Sequence, residues 1–284
     1  MEKIILLVET GADVPAELAK ELGIEIVPMH VEMNGVTLDD GAFPVENILD
    51  YYKDGHKLPK TSGSTPFDFE AMFDRLQGEH PDAKILYLAY SAVTTCSCQS
   101  AIIASEGREN ITIIDTKQVS IGQGMIAIEL AKMLRANPEM SFDEVVAAAN
   151  DMIAQAKMCF LPDNLEFLRA GGRCSNAAAI VGGLLKLKPC IELLDGKLVA
   201  TKKYRGLMKK VFAQVIEEYA EHYALDRRVL YIVYTVGLAD EVRLAAEETA
   251  KAKGFAAVEF VRAGGVITTH GGPAAIGMAG FTKK

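Results

Sequence analysis

No stretch of this 284-residue sequence is apolar and uncharged for long enough to cross a bilayer as a helix. The opening run, MEKIILLVET, is short, acids flank it and no cleavage site follows. It reads as a buried first strand, not a secretory signal. Positive charge is also scarce: 30 Lys and Arg stand against 38 Asp and Glu, a formal net charge of −8 with no basic cluster. That argues against nucleic acid as a partner. It also leaves no polybasic segment for an anionic membrane surface. Cysteine is limited to five residues, Cys96, Cys98, Cys159, Cys174 and Cys190. An odd number without an export signal points to reduced thiols. Cys96-Ser97-Cys98 holds the one close pair, and no second pair or histidine cluster completes a zinc set. The expectation is a cytoplasmic protein without metal or cofactor and without stable membrane insertion.

The usual catalytic signatures are missing as well. There is no GxxxxGK[ST] phosphate loop and no GxGxxG; SIGQGMIAI carries only GxG and does not follow an evident strand. No GxSxG elbow occurs. No carboxylate pair or histidine cluster stands out.

What is present is apolar patterning. Half of the residues are hydrophobic, enough for a substantial core. KIILLV (3–8), KILYLAY (84–90) and NITIIDT (110–116) are continuous apolar runs, the pattern of strands buried on both faces. Helical spacing separates them at 45–54 and 67–77, and returns at 122–135 and 141–157. This alternation predicts an α/β domain with a parallel, Rossmann-like sheet over residues 1–157. The remainder, 158–284, has another rhythm. A hairpin centres on Asp195-Gly196, SNAAAIVGGLLKL is a small-residue helix, and a helix (207–223), a strand (229–235) and a helix (239–252) follow. The end, VEFVRAGGVITTHGGPAAIG, reads as a strand and a glycine-rich loop. A second α/β domain with a mixed or antiparallel sheet is expected there.

Four polar segments carry the chemistry. In KLPKTSGSTPFDF (57–69) four hydroxyls crowd Gly63 with no histidine among them. Hydroxyls donate hydrogen bonds and glycine admits a ligand close to backbone N–H groups, which suits an oxyanion. Helix capping accounts equally well for Ser64 or Thr65, but leaves Thr61 and Ser62 unexplained. SAVTTCSC (91–98) joins a strand to a helix, whose first turn can attract an anion or simply be capped by one hydroxyl. His270 sits in TTHGGPAAIG between hydroxyls and glycines, where it can donate, accept or make a structural bond. Arg173, in RAGGRCS, has the fork that matches carboxylate or phosphate, and a surface or capping role is the commoner one. Oxyanion donors without a catalytic set favour binding over chemistry.

In order and spacing these segments resemble the DegV family of bacterial fatty-acid-binding proteins along nearly the whole chain. ETGADVP (9–15) stands for a DSTADLP-like turn, TSGST (61–65) for TSQPS, SAVTTCSCQSA (91–101) for SSxLSGTYQSA, and IDTKQVSIGQG (114–124) for IDSxxVSxGxG. LEFLRAGGRCS (165–175) and the hairpin after it match the family's LxxLKKGGRI stretch, and HGGPAAIG (270–277) its HxGPGxxG. The resemblance implies two α/β domains with a lipid tunnel between them. It also implies a carrier, not an enzyme: a long-chain fatty acid is bound and presented to an ATP-dependent kinase subunit, which makes the acyl-phosphate for phospholipid synthesis. Carried over by position, Thr61 and Ser62 lie beside the carboxylate. Thr95 takes the place of the carboxylate-binding Ser, and Cys96 that of the following Gly. His270 falls near the head group, and Arg173 at the head-group end facing the kinase. Glu9 and Thr10 replace Asp and Ser. Thr95-Cys96-Ser97-Cys98 replaces Ser-Gly-Thr-Tyr, which implies a bulkier floor under the head group. The rival readings are an acyl- or phosphoryl-transfer enzyme with His270 as base, and a binding protein for another small anion.

Overall fold

The computed structural model describes residues 3–55, 57–174 and 187–283. Most of the small-residue helix expected at SNAAAIVGGLLKL, and His56, lie outside the described residues.

Four parallel strands form the first sheet: β1 (Ile4–Glu9), β2 (Ile24–Val27), β6 (Lys84–Ala89) and β7 (Ile111–Asp115), in the order β2-β1-β6-β7. β1 and β6 are buried from their second residue onward, as their unbroken apolar runs require. Helices α1 (Ala16–Leu22), α3 (Pro66–Glu79) and α4 (Ser97–Ala104) belong to this half. A small antiparallel sheet stands beside it, β4 (Val36–Asp39), β3 (His30–Met33) and β5 (Lys60–Ser62), with the short helix α2 (Glu46–Lys53) after it. Asn34-Gly35 turns β3 into β4 with both residues at positive φ, as the sequence suggests. β5 lies within the hydroxyl-rich loop. Three residues are too few for a periodic pattern, and only pairing with β3 makes them a strand.

The second sheet has six strands in the order β10-β9-β8-β13-β11-β12. They are β8 (Ala156–Leu161), β9 (Leu187–Leu194), β10 (Lys197–Arg205), β11 (Val229–Tyr234), β12 (Ala257–Arg262) and β13 (Ile276–Phe281). β11 and β12 run parallel and the other pairs antiparallel. The Asp195-Gly196 hairpin forms with both turn residues at positive φ. Helix α7 (Leu165–Gly171) follows β8, and helices α8 (Met208–His222) and α9 (Asp240–Ala252) pack together and against this sheet. The expected boundary near 157 lies inside β8, which follows helix α6 (Phe142–Gln155) directly. The C-terminal segment differs from its reading as a strand and a loop: Gly265–Gly271 is a helix, α10, and Ile276–Phe281 is a buried strand. Glycine at 264, 265, 271 and 272 obscured the helix, which tertiary contacts stabilise despite poor propensity.

Helix α5 (Ser120–Ala136) joins the two halves. Its first twelve residues are all buried. A helix apolar on every side belongs inside a protein, and this one packs between the sheets. One continuous core therefore takes Leu6, Val8 and Leu88 from the parallel sheet and Met158, Tyr231 and Ala279 from the mixed one. Among the described residues no helix is long and apolar enough to cross a membrane, and no group of three or more His, Cys, Asp or Glu could hold a metal ion.

Candidate functional site

The hydroxyl-rich loop divides its side chains between structure and site. Thr65 caps α3: its hydroxyl accepts the Asp68 N–H, and the Asp68 carboxylate accepts the Thr65 N–H at 2.7 Å. Ser64 is fully buried and donates to the Pro28 carbonyl at 2.7 Å, while its N–H donates to Ser97 Oγ at 3.1 Å. Thr61 points inward, with Oγ1 2.7 Å from His270 Nε2. Ser62 is exposed. Gly63 explains itself by what surrounds it. A Cβ there would collide with Thr95 Oγ1 and come 2.6 Å from Ser97 Oγ. Only hydrogen lets the loop lie against the start of α4.

On the facing side, Thr95 Oγ1 sits 3.2 Å from Ser97 Oγ and accepts the Ser97 N–H at 3.4 Å. Thr94 donates to the Ser91 carbonyl at 2.9 Å. Cys96 is exposed and Cys98 is buried in the core behind the parallel sheet. Neither cysteine of Thr95-Cys96-Ser97-Cys98, where a bulkier floor was expected, lines the chamber that Thr61 and Thr95 share. They point to solvent and to core.

Helix α10 brings in His270. Its N-terminal amides are held by two carboxylates: Asp13 accepts the Gly264 N–H at 2.8 Å, and Asp40 accepts those of Gly265 and Val266 at 2.6 and 3.2 Å. At the other end Gly171 lies so close that a Cβ would overlap His270 Nδ1. Although part of its surface faces the pocket, protein atoms surround the ring. Burial, and then the Arg173 charge, push its pKa down to about 4. His270 is neutral at pH 7. Arg173 is exposed; it donates to the Gly171 carbonyl at 2.7 Å and to the Thr94 carbonyl at 3.4 Å.

Two adjoining chambers result. The outer one, about 50 Å³, is lined by Thr61, Gly63, Thr94, Thr95, Arg173 and His270, with Met29 and Val266. Tyr90, Leu198 and His270 are shared with an inner chamber, also about 50 Å³, between the two sheets. The inner lining is mainly apolar, including Val119, Met158, Phe160, Leu168, Val233 and Ile276. A larger cleft of about 670 Å³ lies over β9, β10 and α8, but Glu192, Lys202, Glu218 and Glu221 line it. Chemistry, not size, therefore singles out the paired chambers: a donor-rich mouth on an apolar interior.

Four of the six residues singled out in the sequence, Thr61, Thr95, His270 and Arg173, meet in the outer chamber. Ser62 and Cys96 are exposed and do not belong to its lining. Gly63, Thr94 and Tyr90 do: the glycine falls where the sequence suggested a close approach of ligand to backbone, Thr94 lies in the SAVTTCSC segment, and Tyr90 was not singled out. The acids Glu9, at the end of β1, and Asp13, just beyond it, lie behind the site. Glu9 accepts the Tyr87 hydroxyl, the Tyr90 N–H and the Gln123 amide, and burial still pushes it up to about 7. Burial pushes Asp13 up to about 8.

A family model described as "Uncharacterised protein, DegV family" matches residues 3–283. A DegV domain-containing protein of Caldanaerobacter subterraneus is 30% identical over 288 residues, covering 98% of each chain. Among solved structures, one described as fatty acid binding of a DegV family protein from Thermus thermophilus aligns with a TM-score of 0.88 at 26% identity, over 99% of this chain and 100% of that one. A fatty acid binding DegV family protein from Streptococcus agalactiae aligns with a TM-score of 0.84 at 27% identity, over 100% of both chains.

Proposed function

The chain belongs to the DegV family, and from that premise we propose that it binds a long-chain fatty acid, carboxylate in the outer chamber and acyl chain in the inner one, and presents the carboxylate to a partner kinase. The observation that carries this reading is the junction of the two chambers. The chamber that Thr61 and Thr95 line adjoins, across the shared residues Tyr90, Leu198 and His270, an apolar cavity between two sheets. A dozen buried methylenes contribute on the order of 10 kcal/mol at about 0.8 each, before ordering costs. A carboxylate taken from water needs donors in exchange, and the Thr61 and Thr95 hydroxyls are placed to supply them. The chambers are narrow, so a long chain enters by displacing adaptable side chains such as Met158.

A carrier fits this site better than an enzyme. A general base works best with a pKa near the operating pH. His270, pushed down to about 4 and engaged by Thr61, is a weak base at neutral pH. Its evident task is to orient the Thr61 hydroxyl.

Denaturing extraction of purified protein followed by mass spectrometry tests the reading. A stoichiometric fatty acid is expected. An empty protein, or one that holds a phosphorylated metabolite and rejects added fatty acid, would overturn it. The Thr61→Ala, Thr95→Ala double variant should bind fatty acid at least about tenfold more weakly, since each lost donor strands part of a buried charge.

A further inference from the structure

Tyr90 stands where the two chambers meet. It lines both, and only 8% of it is exposed. Its position is fixed twice over. Its N–H donates to both Glu9 carboxylate oxygens at 3.2 Å, and its ring lies on Gly11, where a Cβ would come 3.2 Å from Cε2. Among the described residues its hydroxyl has no hydrogen-bond partner.

That sets it apart from every other hydroxyl in the lining. Thr61 pairs with His270, Thr94 with the Ser91 carbonyl and Thr95 with Ser97. In the inner chamber Ser120 donates to Asp13, Tyr234 accepts from Arg243 and Thr235 donates to the Gly272 carbonyl. The residue is buried, yet its hydroxyl oxygen is not among the fully enclosed unpaired atoms, so it is open to the chambers that the ring lines and free to donate there. Burial raises the phenol's pKa, so it stays a donor at any ordinary pH. A phenylalanine would fill the same space but offer no donor to a ligand.

We propose that Tyr90 is a specificity-determining residue: its hydroxyl donates to an oxygen carried on the first carbons of the bound acyl chain, so the protein prefers a fatty acid with a hydroxyl or keto group near the carboxyl end over the plain acid. The carboxylate has Thr61 and Thr95 in the outer chamber. The carbons that follow it pass Tyr90 on the way inward. A site built to hydrogen-bond a ligand oxygen rejects the analogue that lacks it, because the donor is then left unpaired. This rests on the fatty-acid reading.

The test is titration calorimetry on delipidated protein, wild type and Tyr90→Phe, with hexadecanoic acid and its 2-hydroxy and 3-hydroxy derivatives. Wild type should bind one of the hydroxy acids about tenfold more tightly than the plain acid. In Tyr90→Phe this preference should vanish, with plain-acid affinity retained or improved. Equal wild-type affinities for all three acids, or a preference that survives in Tyr90→Phe, would overturn the assignment. Equal weakening of all three in the variant would place the phenol on the carboxylate and also overturn it. Failure of wild type to bind any of the acids would instead remove the fatty-acid reading, and this inference with it.

Discussion

Thr61 Oγ1 lies 2.7 Å from His270 Nε2, joining residues 209 positions apart and tying the hydroxyl loop to the last helix. His270 Nδ1 has no partner among the described residues. With Nε2 protonated, the ring donates to Thr61 and leaves the Thr61 proton for a ligand. Followed by NMR, His270 should titrate near pH 4 instead of 6.5. Arg173→Ala should raise that midpoint, because the guanidinium opposes protonation. A midpoint near 6.5 in the wild type would contradict the buried, neutral ring.

Gly63→Ala tests how closely the loop meets α4. The new methyl would displace the hydroxyls of Thr95 and Ser97. Fatty-acid affinity should fall about tenfold or more, with a loss of stability of about 1–3 kcal/mol from overpacking. Calorimetry and urea titration measure the two effects separately. Unaltered affinity would show that Thr95 does not hold the ligand.

Glu9 and Asp13 make stability depend on pH. In the unfolded chain both lose their protons near pH 4; in the folded one burial holds them until about pH 7 and 8. Between those limits the native state binds more protons, so the contribution of these groups to stability is present in acid and declines as pH rises across the window. Urea unfolding from pH 5 to 8 should show a shallower decline, or a steeper rise, in Asp13→Asn than in wild type. Identical slopes would place the native Asp13 titration elsewhere.

Under the proposed function, a change at Arg173 should separate binding from presentation. It is exposed at the mouth and anchored to the backbone on either side. Arg173→Ala should keep fatty-acid affinity within about threefold while slowing phosphorylation of the bound acid by the partner kinase about tenfold or more. Single-turnover assays with delipidated, reloaded protein measure this. An unchanged rate would remove Arg173 from the partner surface.

Much of the parallel sheet was legible because its signals are local. Continuous apolar runs marked β1 and β6, and the pairs Asn34-Gly35 and Asp195-Gly196 marked two hairpins. β5 and α10 were not legible. One is too short to show a period, and the other begins and ends on glycine. Within the site, residue type announced Thr61, Thr95 and His270, and position in a family-like motif announced Arg173. Ser62 and Thr61 are neighbours of the same chemistry, yet alternation along β5 sends one outward and the other inward.

The sequence alone determined the chemistry available: hydroxyl donors without a nucleophile's partners, an acidic chain without a basic cluster, and enough apolar residues for a core. The tertiary structure decided which donors face one point. Asp13 and Asp40 hold the start of α10, Gly171 admits His270, and Gly63 lets Thr95 meet the loop. These relationships join segments far apart in the chain. A neighbour's identity at such distances is set by packing, which local pattern does not encode. Tyr90 shows the same division: in sequence it is one more aromatic at the end of an apolar run, and only the fold leaves its hydroxyl unpaired at the meeting of two chambers.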